Sequence, residues 1–328
     1  MYIASDTRYE KMKYNRCGKS GLMLPAVSLG LWHNFGDTGG YAKMEEMCFT
    51  AFDHGITHFD LANNYGPKAG SAESNFGKIL KEHFLPYRDE MIISTKAGYD
   101  MWTGPYGDWG SRKYLIASID QSLKRLGLDY VDIFYHHRMD PNTPLEETMG
   151  ALSQIVSGKA LYVGLSNYDG PTLEKASAIL DELHVPFVIN QNCYNIFDRT
   201  IEQNGLKAMS EKLGKGIICF SPLAQGMLSD RYLNGIPEDS RVRTDGRFLQ
   251  ESRLSEEVLG KIRALNEIAE GRGQTLAEMA LAWLLKEGVI TSVLAGASKP
   301  SQILYNIKAV ENTSFTQDEI ETIDRISR

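Results

Sequence analysis

From about residue 26 to residue 311 the chain repeats a two-part pattern: a short β-rich run, then a longer stretch with apolar residues three and four apart. The β-rich runs are AVSLGLW (26–32), THFDLA (57–62), EMIISTKA (90–97), YVDIFYHH (130–137), ALYVGLS (160–166), PFVINQ (186–191), GIICFS (216–221) and TSVLAG (291–296). The helical stretches between and after them cover 42–55, 72–84, 111–127, 144–158, 171–184, 201–214, a doubled region over 255–287, and 301–311. Eight strand–helix units with short connections argue for a parallel sheet. Eight of them in 328 residues predict closure into a (β/α)8 TIM-type barrel, with a doubly wound open sheet as the alternative.

Two segments stand outside the repeat. KMKYNRCGKSGLMLP (11–25) predicts a β-hairpin with a polar turn, placed to plug the N-terminal mouth of the barrel. The stretch 222–254 is too long for an ordinary strand–helix connection, and loops of that length are usually functional. An extra helix ends the chain. No linker rich in Gly, Pro or Ser interrupts it, so residues 1–328 are expected to form a single domain.

Composition narrows the partners. Hydrophobic residues make up 42% of the chain, enough for a sizeable core, and the net charge is −7 without a dense Lys/Arg run. That balance speaks against a nucleic-acid surface or an anionic membrane as partner. No apolar run of eighteen residues occurs and the first residues lack an apolar signal core, so a soluble, cytoplasmic protein is expected. The four cysteines, Cys17, Cys48, Cys193 and Cys219, have neither CxxC pairing nor a histidine at metal-ligand spacing, which predicts no structural metal. Three familiar motifs are absent. CGKS (17–20) lacks the earlier glycine of a P-loop, since position 13 is Lys; GPYGDWG (104–110) has the wrong spacing for GxGxxG; and GxSxG does not occur.

Catalytic groups of such a barrel come from the C-terminal ends of its strands. Those ends carry Asp60 with Asn64 and Tyr65 just beyond, Lys96, His136 and His137, Ser166 and Asn167, Gln191, and Phe220 with Ser221. Singly, Asp60 reads equally well as a loop-start acceptor, Tyr65 as packing, and either histidine as a core residue. Lys96 is harder to set aside, because an unpaired ammonium inside an apolar strand is costly and Asp60 on the neighbouring strand can pair with it. Together they describe a device. A lysine held by Asp60 should lower the Tyr65 phenol from its usual ~10. The phenol could then give a proton to a developing alkoxide while a histidine donates a second hydrogen bond to the same oxygen. This arrangement suits carbonyl reduction by hydride transfer.

Over nearly its whole length, from GLMLPAVSLGLW to the C-terminal helix, the chain resembles the aldo-keto reductases. Within them it is most similar to the branch of the potassium-channel β subunits and bacterial L-glyceraldehyde 3-phosphate reductases, through KALYVGLSNY, FSPLAQGMLSDRYLNGIPEDSR and SVLAGASKPSQILYNI. The resemblance implies a catalytic tetrad of Asp60, Tyr65, Lys96 and His137, the last identified by its place five residues after Asp132. It implies NADPH held across the barrel mouth without a Rossmann fold. Ser166, Asn167 and Gln191 would bond the nicotinamide carboxamide, Phe220 would stack on the ring, and Trp32 and Asp60 would border it. Ser221, Pro222, Leu223 and Gln225 would follow the pyrophosphate, Arg231 and Arg241 would clamp phosphates, and Gly296, Ser298, Lys299, Gln302 and Asn306 would take the adenosine end.

For the substrate, Trp32, Tyr65 and His137 would form the pocket wall, and Trp102, Tyr106 and Trp109 a lid or merely a cover for the barrel top. Aromatics beside Lys68, Arg112 and Arg138 suit a small aldehyde carrying phosphate, such as L-glyceraldehyde 3-phosphate, or a methylglyoxal-like carbonyl. A homo-oligomer is compatible with this reading. Two rivals stand beside it: a channel-β-subunit-like regulatory protein that binds NADPH and turns over slowly, and a phosphate-binding barrel isomerase. Channel β subunits typically carry asparagine at the fourth tetrad position, where this chain has His137, and no glycine-rich phosphate loops follow strands seven and eight.

Overall fold

A short hairpin opens the chain, β1 (Tyr14–Arg16) pairing antiparallel with β2 (Met23–Pro25), in a computed structural model that describes residues 2–327 except 234, 239, 240 and 245–248. Each β-rich run then holds one strand: β3 (Val27–Gly30), β4 (His58–Asp60), β5 (Ile92–Ala97) and β6 (Val131–His136). β7 (Ala160–Ser166), β8 (Phe187–Cys193), β9 (Gly216–Phe220) and β10 (Ser292–Ala295) follow. Neighbours pair in parallel and β10 returns to β3, so the sheet closes into the expected eight-stranded barrel.

The first helices are α1 (Tyr41–Asp53), α2 (Ser71–Ile79), α3 (Arg112–Leu126), α4 (Leu145–Ile155) and α5 (Gly170–Glu182). After β8 come α6 (Thr200–Gln203) and α7 (Leu206–Leu213), then the short α8 (Arg241–Thr244). The doubled region is α9 (Glu256–Gly271) and α10 (Leu276–Leu285), and the chain ends with α11 (Pro300–Ile307) and α12 (Gln317–Ser327). Their starts are fixed locally. Ser111, Asp169 and Ser255 accept backbone N–H groups of the first turns of α3, α5 and α9, and Thr275 with Glu278 forms a capping box on α10. No helix among the described residues is long and apolar enough to cross a membrane.

Side chains alternate between two cores, as strand geometry requires. Outward residues such as Phe59, Ile93, Phe134 and Ile217 pack under the helices. Inward residues Ile133, Tyr135, Ile189, Ile218 and Leu294 form a separate cluster, closed by Cys17, Leu22 and Leu24 of the hairpin. The plug is bonded to strand starts: Asn15 Nδ2 donates to Thr291 O at 2.9 Å, Lys19 N to Gly214 O at 2.8 Å and Cys17 Sγ to Val188 O at 3.3 Å. The bottom of the barrel is thus closed by the hairpin, which leaves the C-terminal mouth as the end open to a site.

Two helical stretches differ from expectation. The run 201–214 breaks into α6 and α7 at Gly205, whose φ of 79° is left-handed and which lies against the start of α5. The run 72–84 leaves α geometry at Ile79 and continues as a five-residue π turn, Leu80–Phe84.

Candidate active site at the C-terminal mouth

β4, β5 and β6 end side by side, and their last inward residues meet. The Lys96 ammonium donates to Asp60 Oδ2, to Leu61 O at 2.5 Å and toward the Tyr65 hydroxyl at 3.4 Å. Asp60 and Lys96 side chains are both fully buried. Asp60 Oδ1 accepts two further bonds, from Ser94 Oγ at 2.6 Å and Gln191 Nε2 at 3.1 Å. Burial pulls the Lys96 ammonium below its usual pKa while Asp60 opposes the shift. The carboxylate therefore keeps a cation in place under the Tyr65 ring, 4.9 Å from its centroid.

The phenol behaves differently from the sequence expectation. Instead of being lowered by Lys96, the Tyr65 pKa is pushed well above its usual value, first by removal from water and then by the Asp60 charge. Lys96 is paired directly with that carboxylate, so little net positive field reaches the hydroxyl. Tyr65 is protonated throughout the neutral range, ready to give a proton rather than take one.

The two adjacent histidines point to opposite sides, as neighbours on a strand must. His136 faces the helices: it is fully buried, its Nδ1 is 2.7 Å from the Tyr168 hydroxyl, and burial lowers its pKa to about 4. His137 turns into the mouth, edge-on to Tyr65 with centroids 6.0 Å apart and to Tyr99 at 4.7 Å. Burial, then the Lys96 charge, holds His137 neutral, and its buried Nδ1 has no hydrogen-bond partner among the described residues. Trp32 completes the wall, 6.3 Å from the Tyr65 ring. The structure thus brings Asp60, Tyr65, Lys96, His137 and Trp32 together.

The remaining candidates lie around this centre. Asn167 takes a left-handed φ of 57° and donates to His137 O at 2.9 Å and Ser166 Oγ at 3.2 Å. Gln191 gives one amide N–H to Asp60, and its Oε1 is the acceptor it can offer to a carboxamide N–H. Phe220 ends β9 on the inward side. Beyond it, Ser221, Ala224 and Gln225 have φ of 51°, 47° and 60°, strained non-glycine positions on either side of Pro222 and Leu223. Asn195 Nδ2 to Ser221 O and Gln225 Nε2 to Ser221 Oγ, both at 3.0 Å, hold it. Strain of this kind is kept where a ligand site over-determines the backbone.

At β10, Gly296 opens to free space, and Ser298 donates through both N and Oγ to Gln302 Oε1 at 2.7 and 3.1 Å. Lys299 is exposed at the start of α11, while Asn306 is buried on its inner face with Val27 and Ile303. Arg231 lies exposed in a 3-10 turn, and the Arg241 side chain is outside the described residues. The mixture of polar strand ends, an aromatic floor and a strained loop fits an extended nucleotide, and a hydride-carrying nicotinamide would meet the mouth beside Tyr65.

Three expectations about substrate contacts change. Arg112 is not at the mouth, since its guanidinium bonds Gln154 on α4 at 3.0 Å. Arg138 is there but already engaged: it donates through Nε to Gly98 O at 2.7 Å and through Nη2 to both Asp108 oxygens at 2.7 and 2.9 Å. It is also stacked between Trp109 at 3.6 Å and Tyr99 at 4.2 Å. Trp102 packs onto Tyr114 of α3 at 5.1 Å instead of over the pocket. Trp109 keeps a left-handed φ of 69° to sit on Arg138, whereas Tyr106 and Lys68 are exposed. Tyr99 was missed by sequence reading. Its signal was its place three residues after Lys96, on the connection that must pass over His137.

Comparison with known proteins places this geometry. The model of the Aldo/keto reductase family matches residues 26–328. The L-glyceraldehyde 3-phosphate reductases of Escherichia coli O157:H7 and Escherichia coli (strain K12) are 55% and 54% identical over 329 residues, 99% of this chain and 95% of each relative. A putative voltage-gated potassium channel subunit beta of Schizosaccharomyces pombe is 37% identical over 94% of this chain and 91% of its own. Among solved structures, a thermostable aldo-keto reductase in complex with the inhibitor epalrestat superposes with a TM-score of 0.75 at 30% identity, covering 96% of this chain and all of that one.

Proposed function

The chain belongs to the aldo/keto reductase family, and we propose that it reduces small aldehydes and ketones, of the L-glyceraldehyde 3-phosphate or methylglyoxal kind, with NADPH as the hydride source. One observation carries the reading: the half-buried Tyr65 places its hydroxyl 3.4 Å from a Lys96 ammonium locked by Asp60, with neutral His137 across the mouth. When bound, the nicotinamide supplies a hydride to the carbonyl carbon. The protein's part is to handle the oxygen. The Tyr65 hydroxyl donates toward it, and His137, kept neutral, offers a second N–H. As the oxygen gains charge, Tyr65 gives up its proton, and Lys96 is the cation that stabilises the tyrosinate left behind. The raised phenol pKa keeps the proton on Tyr65 at neutral pH, and the neighbouring Lys96 ammonium offsets part of the cost of giving it up.

Arg231 and Arg241 are proposed to bond the 2′-phosphate, and the polar strand ends Ser166, Asn167 and Gln191 the carboxamide. The curated relatives support the phosphate-bearing aldehyde, while Arg138, paired with Asp108, and outward Arg112 leave Lys68 as the cation for it among the three expected.

A spectrophotometric assay separates this reading from its rivals. Purified protein mixed with NADPH and either L-glyceraldehyde 3-phosphate or methylglyoxal should consume the reduced cofactor rapidly. Tight NADPH binding without consumption would favour a regulatory, channel-subunit-like protein instead, and absence of binding would remove both.

A further inference from the structure

One half of the barrel interior is not apolar. Where β6 to β9 contribute Ile133, Tyr135, Ile189 and Ile218, the facing half places Ser292, Ser28, His58 and Ser94 inside, each with no solvent exposure. Buried hydroxyls and an imidazole are costly unless fully bonded. These four are bonded into one line. Ser292 Oγ and Ser28 Oγ are 2.7 Å apart, Ser28 Oγ lies 2.9 Å from His58 Nδ1, His58 Nε2 lies 2.9 Å from Ser94 Oγ, and Ser94 Oγ reaches Asp60 Oδ1 at 2.6 Å.

The direction of that line is set at one end. A carboxylate engaged by Lys96 can only accept, so the single Ser94 proton goes to Asp60. Ser94 must then accept from His58, which puts the imidazole proton on Nε2. Nδ1 is left as an acceptor for the Ser28 proton, and Ser28 in turn accepts from Ser292. Every hydroxyl uses its one proton in the same sense, and no other tautomer satisfies all four contacts.

We propose that His58 is a positioning residue of the active site, fixing through Ser94 the orientation of Asp60, and through Asp60 the Lys96 cation beneath Tyr65. The inference rests on the reductase reading for its kinetic consequence, but the line itself does not. His58 lies two residues before Asp60 on the same face of β4, and Ser94 is paired with Asp60 across to β5, so the support is built into the barrel's register. Burial keeps the imidazole neutral, with its pKa lowered to about 4, so the line holds through the neutral range. The groups facing it are Asp60 and Lys96.

Two measurements on the full-length protein test this. The first needs no turnover: 15N-histidine NMR should find His58 as the Nε2–H tautomer from pH 8 to pH 5, and an Nδ1–H tautomer would overturn the assignment. The second is the split between kcat and KM in steady-state kinetics. Ser94→Ala, which removes only a hydroxyl, should lower kcat about tenfold with KM for the aldehyde little changed, because Asp60 loses the bond that orients it beside Lys96. His58→Ala should do the same, and His58→Gln, which keeps an amide donor toward Ser94, should recover part of the loss. If Ser94→Ala loses thermal stability but keeps the wild-type kcat, the line is only structural and the proposal fails. Should the wild-type enzyme reduce no carbonyl at all, the reductase reading falls while the tautomer result still decides the line.

Discussion

Removing one oxygen isolates the proton step. Tyr65→Phe keeps the ring that meets His137 and Trp32 but cannot donate, so kcat should fall by ~100-fold or more, the scale of a lost general acid. NADPH affinity, read from cofactor fluorescence, should barely change; full turnover by the variant would take Tyr65 out of the mechanism. The histidine pair gives a second test at this scale. His137→Asn shortens the donor's reach and should lose most aldehyde activity in a folded, NADPH-binding protein. His136→Ser, on the helix side, should turn over normally and lose only packing and its bond to Tyr168. The reverse pattern would mean that the strand register is off by one. Which residues meet at the mouth was legible in part: a strand end and a period of two place Asp60 and Lys96, while the choice of His137 over its neighbour needed the family resemblance. The state of Tyr65 was not. A charge list omits desolvation, and here desolvation outweighs Lys96. His58 escaped notice for a related reason: an isolated histidine in a strand carries no signal until Ser28 and Ser94, thirty and thirty-six residues away, are seen on either side of it.

Among the elements, strands were read more faithfully than loops and helix ends. An apolar run bounded by turn formers leaves one solution: seven of the eight runs contain their strand whole, and β8 passes the end of its run by two residues, to Cys193. A helix periodicity, in contrast, does not say that Gly205 must turn left-handed to clear α5, nor that Arg112 at the first turn of α3 will lean toward α4. The connection 98–110 was expected to cover the mouth, and the structure shows what holds it: Arg138 ion-paired with Asp108 and clasped by Tyr99 and Trp109, with Gly110 N bonded to Asp140 at 2.9 Å. Because the ion pair is partly exposed, its worth is about 1 kcal/mol or less. Asp108→Asn should accordingly raise KM for the aldehyde by up to about fivefold with kcat little changed, since Tyr99 would press less firmly on His137. Steady-state kinetics decide it, and an unchanged KM would show that the loop is held by its other contacts. A tighter constraint acts inside the barrel. A Cβ at Gly164 would sit 2.2 Å from the Tyr135 ring, so Gly164→Ala should cost roughly 1–3 kcal/mol of stability by overpacking. A urea midpoint equal to wild type would show that Tyr135 can move aside.

Taken as a whole, the molecule stores neutral histidines where water cannot reach, and that makes its stability depend on pH in a definite direction. His58 inside the barrel and His136 under the helices both have pKa values lowered to about 4, and His137 is lowered as well, in each case chiefly by burial. In the unfolded chain these imidazoles return to ~6.5. Between those values the unfolded state binds more protons than the folded one, so stability rises with pH across the window and is lost as pH falls from about 6.5 toward 4. At 1.4 kcal/mol per unit, each of the two histidines at about 4 withdraws up to about 3 kcal/mol by the bottom of the window. That is a large part of the ~5–15 kcal/mol typical of a folded domain. Asp140 and Glu319, whose pKa values are lowered by their hydrogen bonds, act in the same direction, but mainly below the ordinary carboxylate range. The histidine share can therefore be read at pH 5 to 7, before those groups titrate. Urea unfolding at pH 7, 6 and 5 should show a midpoint that falls steadily, and His136→Asn should flatten that slope, since its amide cannot be protonated. A wild-type midpoint constant from pH 7 to pH 5 would mean that the buried imidazoles reach water or accept a proton in place, and the neutral, one-way line through His58 could not then be the resting state of the barrel.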